Sequence, residues 1–551
     1  MFTIKFPAQS DAKRKMKSYW IYPLLVCALL RLEVLAVQQI TLRSTSSPFT
    51  DEFSRFAKET LEEWHVAGVS ISVVDGDDVF AEGYGLATLP DVKATPETLW
   101  YVGSTTKAHV AAALAQLIDS NNYTSLARGW RTPIASIIRD DFVLQDPWAT
   151  NHVTLEDAAA HVSGLTAHDE SLRYNKNHSQ HIVRDTVRNL RNLPMHLEPH
   201  LEFHYNNQMY TALGHIVETL TGKWLGRVMK ESIWEPLGMH SSYFDLGQVK
   251  DAPGHLSTGY YWHPQEKKLV AMPFMPTDPM NASGAMISTV LDFAKWIKCL
   301  LRMTGPFSKN VHKEFRKPRA IQAAEPANGA DTTLYSLGWF RTIIHGQVVY
   351  WHSGSVDTHG ALMYWLPDHD YGVTIFSNFP NGVRDVLMWR LIEDKLQIPK
   401  GKRFDIGSKI KESDEKEKRD IANAVNILFP HRPKDPKLPS LKLSDFEGRY
   451  EHAGYGSFEL RQEGHAKDQG KTILVADRND FEVRYQIQLH HVSGDYWILY
   501  NISPDRPPGP RAFSKAYFTV GADGKAASLA VDLFDREEKV FEGTIVYQKV
   551  K

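Results

Sequence analysis

Strand-forming runs stand at both ends of a long helical stretch, and nothing else in this sequence restricts the fold as much. Residues 69–74 and 79–85 flank the turn Asp75-Gly76-Asp77-Asp78 and read as a β-hairpin. Further strand-like runs come at 337–350, 360–366 and 371–377, while helical segments and loops dominate up to about residue 245. Strands that flank a helical insertion imply an α/β (α+β) domain, a sheet carrying a mostly helical subdomain. Helices are expected at 53–66, where Phe53, Phe56, Leu61 and Trp64 share one face, at the Ala-rich run 105–119, and at 382–396.

The composition changes after this region. Residues 401–440 hold the dense charge run 409–419 and then Pro430, Pro433, Pro436 and Pro439, which reads as a linker. From 441 to 551 short alternating runs recur, at 456–460, 472–475, 481–489, 496–500, 516–520 and 540–548, as in an all-β barrel. At roughly 100–200 residues per domain, 551 residues accommodate both units. Apolar residues make up 42% and the net charge is −2, so the chain as a whole offers no electrostatic footprint for nucleic acid.

The N-terminus is a unit of its own. Lys13, Arg14, Lys15 and Lys17 precede the apolar run 19–30, and Val34 and Ala36 supply small residues at a cleavage point. Residues 1–36 are therefore expected to be a secretory signal peptide; an uncleaved signal anchor is the alternative, and the only route to a membrane. Cleavage removes Cys27 and leaves Cys299 alone, which excludes an intrachain disulfide and a cysteine-based metal site. Sequons make Asn122, Asn177 and Asn501 candidates for glycosylation.

Three clusters carry chemistry. Ser-x-x-Lys occurs at Ser10, Ser104, Ser408 and Ser413, but only Ser104 opens a long apolar helix. There the free N–H groups of a helix start favour developing negative charge, and Lys107 falls one turn on, on the same face. A lysine entering an apolar helix has its pKa lowered, and a neutral amine beside a hydroxyl is a competent base. His204-Tyr205-Asn206-Asn207 leads into the helical run 209–220, with Tyr205 and Asn207 able to face one cavity. Trp351-His352-Ser353-Gly354-Ser355 lies on or beside a strand, where Gly354 admits a substrate backbone and the Ser355 N–H can join that of Ser104 as an oxyanion hole.

Other chemistries are not supported. The Asp75–Asp78 turn lacks the ligand spacing of a calcium loop. Pro199 interrupts the histidines at 196, 200 and 204, and no His-Glu-x-x-His order is present, so no metal is expected. No Gly-x-Ser-x-Gly elbow and no phosphate-binding glycine loop occur, and no cofactor is expected.

Taken in order, the three clusters resemble the Ser-x-x-Lys, Tyr-x-Asn and Lys/His-x-Gly elements of the serine β-lactamase and penicillin-binding-protein superfamily. His161-Val162-Ser163-Gly164-Leu165, preceded by 146–150, and the small-residue stretch 282–289 with Asp292 are similar to further family segments. The resemblance covers roughly 50–400 and implies a β-lactamase/transpeptidase-like fold; residues 441–551 resemble the lipocalin-like domain attached to some family peptidases.

The resemblance implies that Ser104 attacks a carbonyl, Lys107 and Tyr205 share the proton transfers, and Asn207 orients the acyl side. It also implies that His352 and Gly354 line the strand edge and Ser355 gives an oxyanion N–H. It places Asn281 near the cleft, which excludes that sequon from the glycosylation candidates. Family β-lactamases carry a lysine where this chain has His352, so an ester or a peptide-like amide is a better expectation than penicillin. Hydrolysis through an acyl-serine is the first expectation, acyl transfer in natural-product biosynthesis the second, and an inactive binding homologue the third. The expected partner is a small-molecule or peptide-like substrate, with oligomers possible through the C-terminal domain.

Overall fold

The computed structural model describes residues 46–173, 182–195, 197–250, 252–464, 472–481, 484–506, 509–535 and 540–550; expectations for 1–36, Cys27, Asn177 and His196 fall outside them. The first helix, α1 (Asp51–Glu63), starts at Thr50, whose hydroxyl accepts from the Phe53 N–H at 3.2 Å. β1 (Gly68–Asp75) and β2 (Asp78–Thr88) form the expected hairpin around Gly76 and Asp77, and the short β3 (Val92–Lys93) pairs with β2. The chain then leaves the sheet. Its principal helices there are α2 (Thr106–Asp119), α3 (Asn207–Thr221) and α4 (Val290–Arg302).

It returns as β4 (Ala320–Ala323), β5 (Thr333–Tyr335), β6 (Phe340–Ile344), β7 (Gln347–Val356), β8 (His359–Leu366) and β9 (Tyr371–Ser377), followed by α5 (Val383–Lys395). The nine strands run in the order β3-β2-β1-β9-β8-β7-β6-β5-β4, with every neighbouring pair antiparallel. The two ends of the domain thus join at β1 and β9, with Val73 opposite Val373.

Helices cover both faces of this sheet, which explains why β8 is buried along its whole length. Leu362, Tyr364 and Leu366 join a core with Phe53 and Leu61 of α1 and Leu387 and Leu391 of α5. The alternate residues Ala361, Met363 and Trp365 share the opposite core with Phe293 and Trp296 of α4.

The stretch read as a linker is largely helical. Asp405 caps α6 (Ile406–Ala422), accepting from the Ser408 N–H at 2.9 Å. The charge run closes on itself through Lys409–Glu412, Lys418–Glu415 and Lys416–Asp420 pairs, spaced to support a helix. A further turn, Ala424–Leu428, buries Ala424 against Val492, Ile498 and Phe513.

These last three residues belong to a closed, eight-stranded barrel of consecutive antiparallel neighbours: β10 (Gly448–His452), β11 (Gly456–Gly464), β12 (Thr472–Arg478), β13 (Tyr485–Ser493), β14 (Tyr496–Ile502), β15 (Pro510–Val520), β16 (Ala526–Asp535) and β17 (Val540–Lys549). Closure is made where Tyr450 of β10 faces Lys549 of β17. The Asn122 side chain is exposed just past α2, whereas Asn501 lies within β14 with its Oδ1 buried and unpartnered. Among the described residues no helix is long and apolar enough to cross a membrane.

Candidate active site

Ser104 lies in a single 3-10 turn, Gly103–Thr105, that runs directly into α2. The hydroxyls of Thr105 and Thr106 donate back to the carbonyls of Val102 and Gly103, at 2.9 and 2.7 Å, and tighten this turn. Two glycines let β7 press against it. Gly103 has φ +50°, and a Cβ there would fall 2.7 Å from the Ser355 nitrogen; a Cβ on Gly354 would fall 1.9 Å from the Val102 carbonyl oxygen. β6 stops pairing with β7 at Trp351, so 352–356 of β7 present an edge that no strand among the described residues covers.

Lys107 is fully buried beneath Ser104. Its Nζ lies 3.1 Å from Ser104 Oγ, 2.8 Å from Asn207 Oδ1 and 3.0 Å from the Ser283 carbonyl oxygen. Burial lowers its pKa to about 7, with the Asp169 carboxylate opposing the shift. A neutral amine has two hydrogens and one lone pair. The Asn207 and Ser283 oxygens can only accept, so they take the two hydrogens and leave the lone pair for the Ser104 hydroxyl proton.

Asn206 caps α3, accepting from the Met209 N–H at 2.8 Å, and its amide donates to the Thr166 carbonyl. This capping sets Asn207 at the helix start. Its oxygen faces Lys107 and its Nδ2 donates to both carboxylate oxygens of Asp169, at 3.1 and 3.2 Å. The side chain expected to orient the acyl side thus also bridges the lysine to an acid. The Tyr205 ring lies 4.7 Å from Lys107 Nζ and packs on the His161 ring at 4.2 Å. His161 Nδ1 accepts from the Asn206 N–H at 3.1 Å; burial, with Lys107 and His352 nearby, holds this ring neutral.

His352 stands on β7, two residues before Gly354. Its ring is buried, with Nδ1 2.6 Å from the Ser353 carbonyl oxygen and Nε2 3.1 Å from the Tyr335 hydroxyl. A carbonyl only accepts, so Nδ1 carries the hydrogen and Nε2 accepts from Tyr335. Burial and then the neighbouring Lys107 bring its pKa down to about 3, so this position offers no cation to a ligand.

A cavity of about 1020 Å³ is lined in part by Asn281 and Ala285, which flank Ser283 in the chain; Ser104 and Lys107 themselves are not among its lining residues. Tyr101, Phe244 and Phe274 line it from the sheet domain, and Phe481 and Arg484 from the barrel. Arg484 is fixed by Asp505, whose two oxygens lie 2.7 and 2.8 Å from its Nη2. Among the described residues no group of three or more His, Cys, Asp or Glu side chains is arranged to hold a metal.

Residues 53–397 match the family model described as Beta-lactamase. The chain belongs to the beta-lactamase family. Residues 432–543 match a second model, a domain of unknown function designated DUF3471, which overlaps the barrel. The chain is 32% identical to the unguisins hydrolase ungD' of Aspergillus campestris over 88% of its length and 90% of that protein. It is also 32% identical to the unguisins hydrolase ungD of Aspergillus violaceofuscus, over 82% of its length and 83% of that protein. Among solved structures, the octameric penicillin-binding protein homologue from Pyrococcus abyssi aligns with a TM-score of 0.53 at 22% identity, covering 91% of this chain and all of that one. This member of the beta-lactamase family is thus a hydrolase-type enzyme of the beta-lactamase fold with a barrel appended.

Sequence reasoning missed Asp169, Ser283 as a lysine ligand, and Tyr335. Asp169 and Tyr335 stand in no motif, and Ser283 acts through its carbonyl, which any residue carries.

Proposed function

We propose that this protein hydrolyses an amide or ester bond of a peptide-like small molecule through an acyl-serine on Ser104. The observation that carries the reading is the lone-pair geometry of Lys107: a buried amine with two of its three contacts assigned to pure acceptors and the third to Ser104 Oγ. The Ser104 proton passes to Lys107 as Oγ bonds to the substrate carbonyl carbon. The resulting oxyanion lies toward the backbone N–H groups of Ser104 and Ser355. Collapse breaks the bond to the leaving amine or alcohol, which takes the proton through Lys107 and Tyr205. Water then adds to the ester and releases Ser104 by the reverse route.

If the substrate extends from Ser104 past Tyr101 into the neighbouring cavity, the volume there, at the upper end of ligand sites, accommodates more than a single amino-acid amide. Hydrolysis is preferred to acyl transfer because both fungal relatives that span most of the chain carry the name hydrolase. The neutral His352 argues against a site selected for penicillin carboxylates.

The test is labelling with a fluorophosphonate, followed by incubation with peptide amides and esters with and without an alcohol acceptor. Mass spectrometry is expected to place the label on Ser104, Ser104→Ala to remain unlabelled, and free acid to be the main product. Absence of label on the wild type overturns the reading; a dominant acyl-acceptor product replaces hydrolysis with transfer.

A further inference from the structure

Arg384, the second residue of α5, is buried against the paired strands β7 and β8. Its Nη1 donates to the Gly354 carbonyl at 2.7 Å and the Ala361 carbonyl at 2.9 Å, and its Nε to the Asn381 carbonyl at 3.4 Å. Among the described residues its hydrogen bonds all go to main-chain oxygens. Asp385, next in the chain, acts on it through Coulomb attraction without a close ion pair among the described residues. Burial lowers the Arg384 pKa, yet a guanidinium titrates far too high to lose its charge near neutral pH.

The Gly354 carbonyl and the Ser355 N–H belong to one peptide group. β7 and β8 are joined by the two residues Asp357 and Thr358, with Val356 opposite His359, Ser355 opposite Gly360 and Gly354 opposite Ala361. Opposed residues in an antiparallel ladder alternate between hydrogen-bonded and non-bonded pairs, and a two-residue hairpin closes on a bonded pair. Gly354 therefore bonds across to Ala361, while the Ser355 N–H points away from β8. That is the side where β6 has ended and the Gly103–Ser104 turn lies.

We infer that Arg384 is a positioning residue of the oxyanion hole, its guanidinium polarising the Gly354–Ser355 peptide so that the Ser355 N–H becomes a stronger donor. This rests on the acyl-serine reading, in which Ser355 supplies that donor. A charged donor on a carbonyl makes a stronger hydrogen bond than a neutral one, and hydrogen bonds in sequence strengthen one another. Negative charge that develops at the Ser355 N–H thus meets a fixed positive charge at the other end of the same planar group, inside the protein rather than across solvent.

The inference is tested on the full chain with a ¹³C-carbonyl-labelled acyl-enzyme, comparing wild type with Arg384→Gln and Arg384→Met by infrared difference spectroscopy. Methionine is included because buried charges are best tolerated when replaced by apolar side chains of similar volume, so one variant carries the test where the other does not fold. The acyl carbonyl band is expected to move to higher frequency, and kcat to fall by about tenfold or more with KM within about twofold, since loss of a whole oxyanion donor costs 10²–10³. A folded variant with an unmoved band and wild-type kcat overturns the inference and reduces Arg384 to a tie between α5 and the sheet. A wild type that forms no acyl-enzyme on Ser104 overturns the parent reading instead, and this one with it.

Discussion

His168 and Glu542 are joined across the two domains: the His168 backbone N–H donates to Glu542 Oε1 at 3.0 Å. The His168 ring adds a contact of 2.7 Å from Nδ1 to the Tyr455 hydroxyl, also in the barrel. His168 takes a left-handed backbone conformation, φ +51°, which is uncommon for a residue with a side chain. The next residue is Asp169, whose carboxylate receives the Asn207 amide. The barrel therefore clamps the turn that leads through Asp169 and Asn207 to Lys107.

Glu542→Ala leaves a buried N–H without this acceptor, a loss of about 1–3 kcal/mol. Turnover is expected to drop severalfold as Asp169 loses its fixed position, while Glu542→Gln, which keeps an acceptor oxygen, stays near wild type. Denaturant unfolding and steady-state kinetics on both variants check this. Wild-type turnover in Glu542→Ala would falsify the clamp.

The pH dependence of acylation follows from Lys107. Protonated, it has no lone pair for the Ser104 hydroxyl, so activity should rise with pH and level off above a pKa of about 7. Tyr205, Tyr210, His161, His352 and Asp169 surround this amine, and Asp169 is the anion that holds its pKa up. Asp169→Asn is therefore expected to shift the acid limb of kcat/KM to lower pH. A shift to higher pH, or none, contradicts the assignment.

How much of this was legible beforehand depended on distance along the chain. Ser104 and Lys107 are one helical turn apart, so their pairing could be read from spacing and an apolar context. The hairpin of β1 and β2 was equally local. Asp169 meets Asn207 from 38 residues away and His168 meets Glu542 from 374, contacts that no periodicity encodes. The run 409–419 reads as a linker from its dense charge and the prolines that follow; the helix α6 within it is supported by exposed pairs three and four residues apart, a pattern that also fits a solvated run. β16 escaped notice because Ala526-Ala527-Ser528 begins it without bulky alternation. That the His352 ring is buried against Tyr335 and Phe340 could not be read from its motif either, since both lie outside it.

Substitution of His352 by lysine, the residue that the resemblance to β-lactamases leads one to expect there, should not create a penicillinase. The site is buried among Tyr335, Phe340 and Tyr205 and lies close enough to Lys107 to feel its charge. An ammonium here either stays charged in an apolar pocket or loses its proton, at a cost on the order of 4 kcal/mol. His352→Lys is expected to melt well below wild type and to show no gain in penicillin turnover. A stable variant that hydrolyses penicillin would show that the ring's burial does not determine substrate class.

The cavity can be separated from the chemistry through Phe274. This side chain is 36% exposed, lines the cavity, and lies parallel to the buried His359 ring with centroids 6.2 Å apart. Because it is half open to solvent, Phe274→Ala removes little of the core and should cost the fold less than about 1 kcal/mol. A ligand that covers the ring loses that apolar contact, worth roughly 1–2 kcal/mol, or about tenfold in binding. KM for a large peptide-like substrate is therefore expected to rise about tenfold with kcat nearly unchanged, while a small ester that reaches only Ser104 keeps both constants. Trp148, 51% exposed and not among the cavity-lining residues, provides the matched control as Trp148→Ala. An equal loss on both substrates in Phe274→Ala would mean that the ring shapes the Ser104 turn through Tyr101, with which it packs at 6.0 Å, and that the cavity does not hold the substrate.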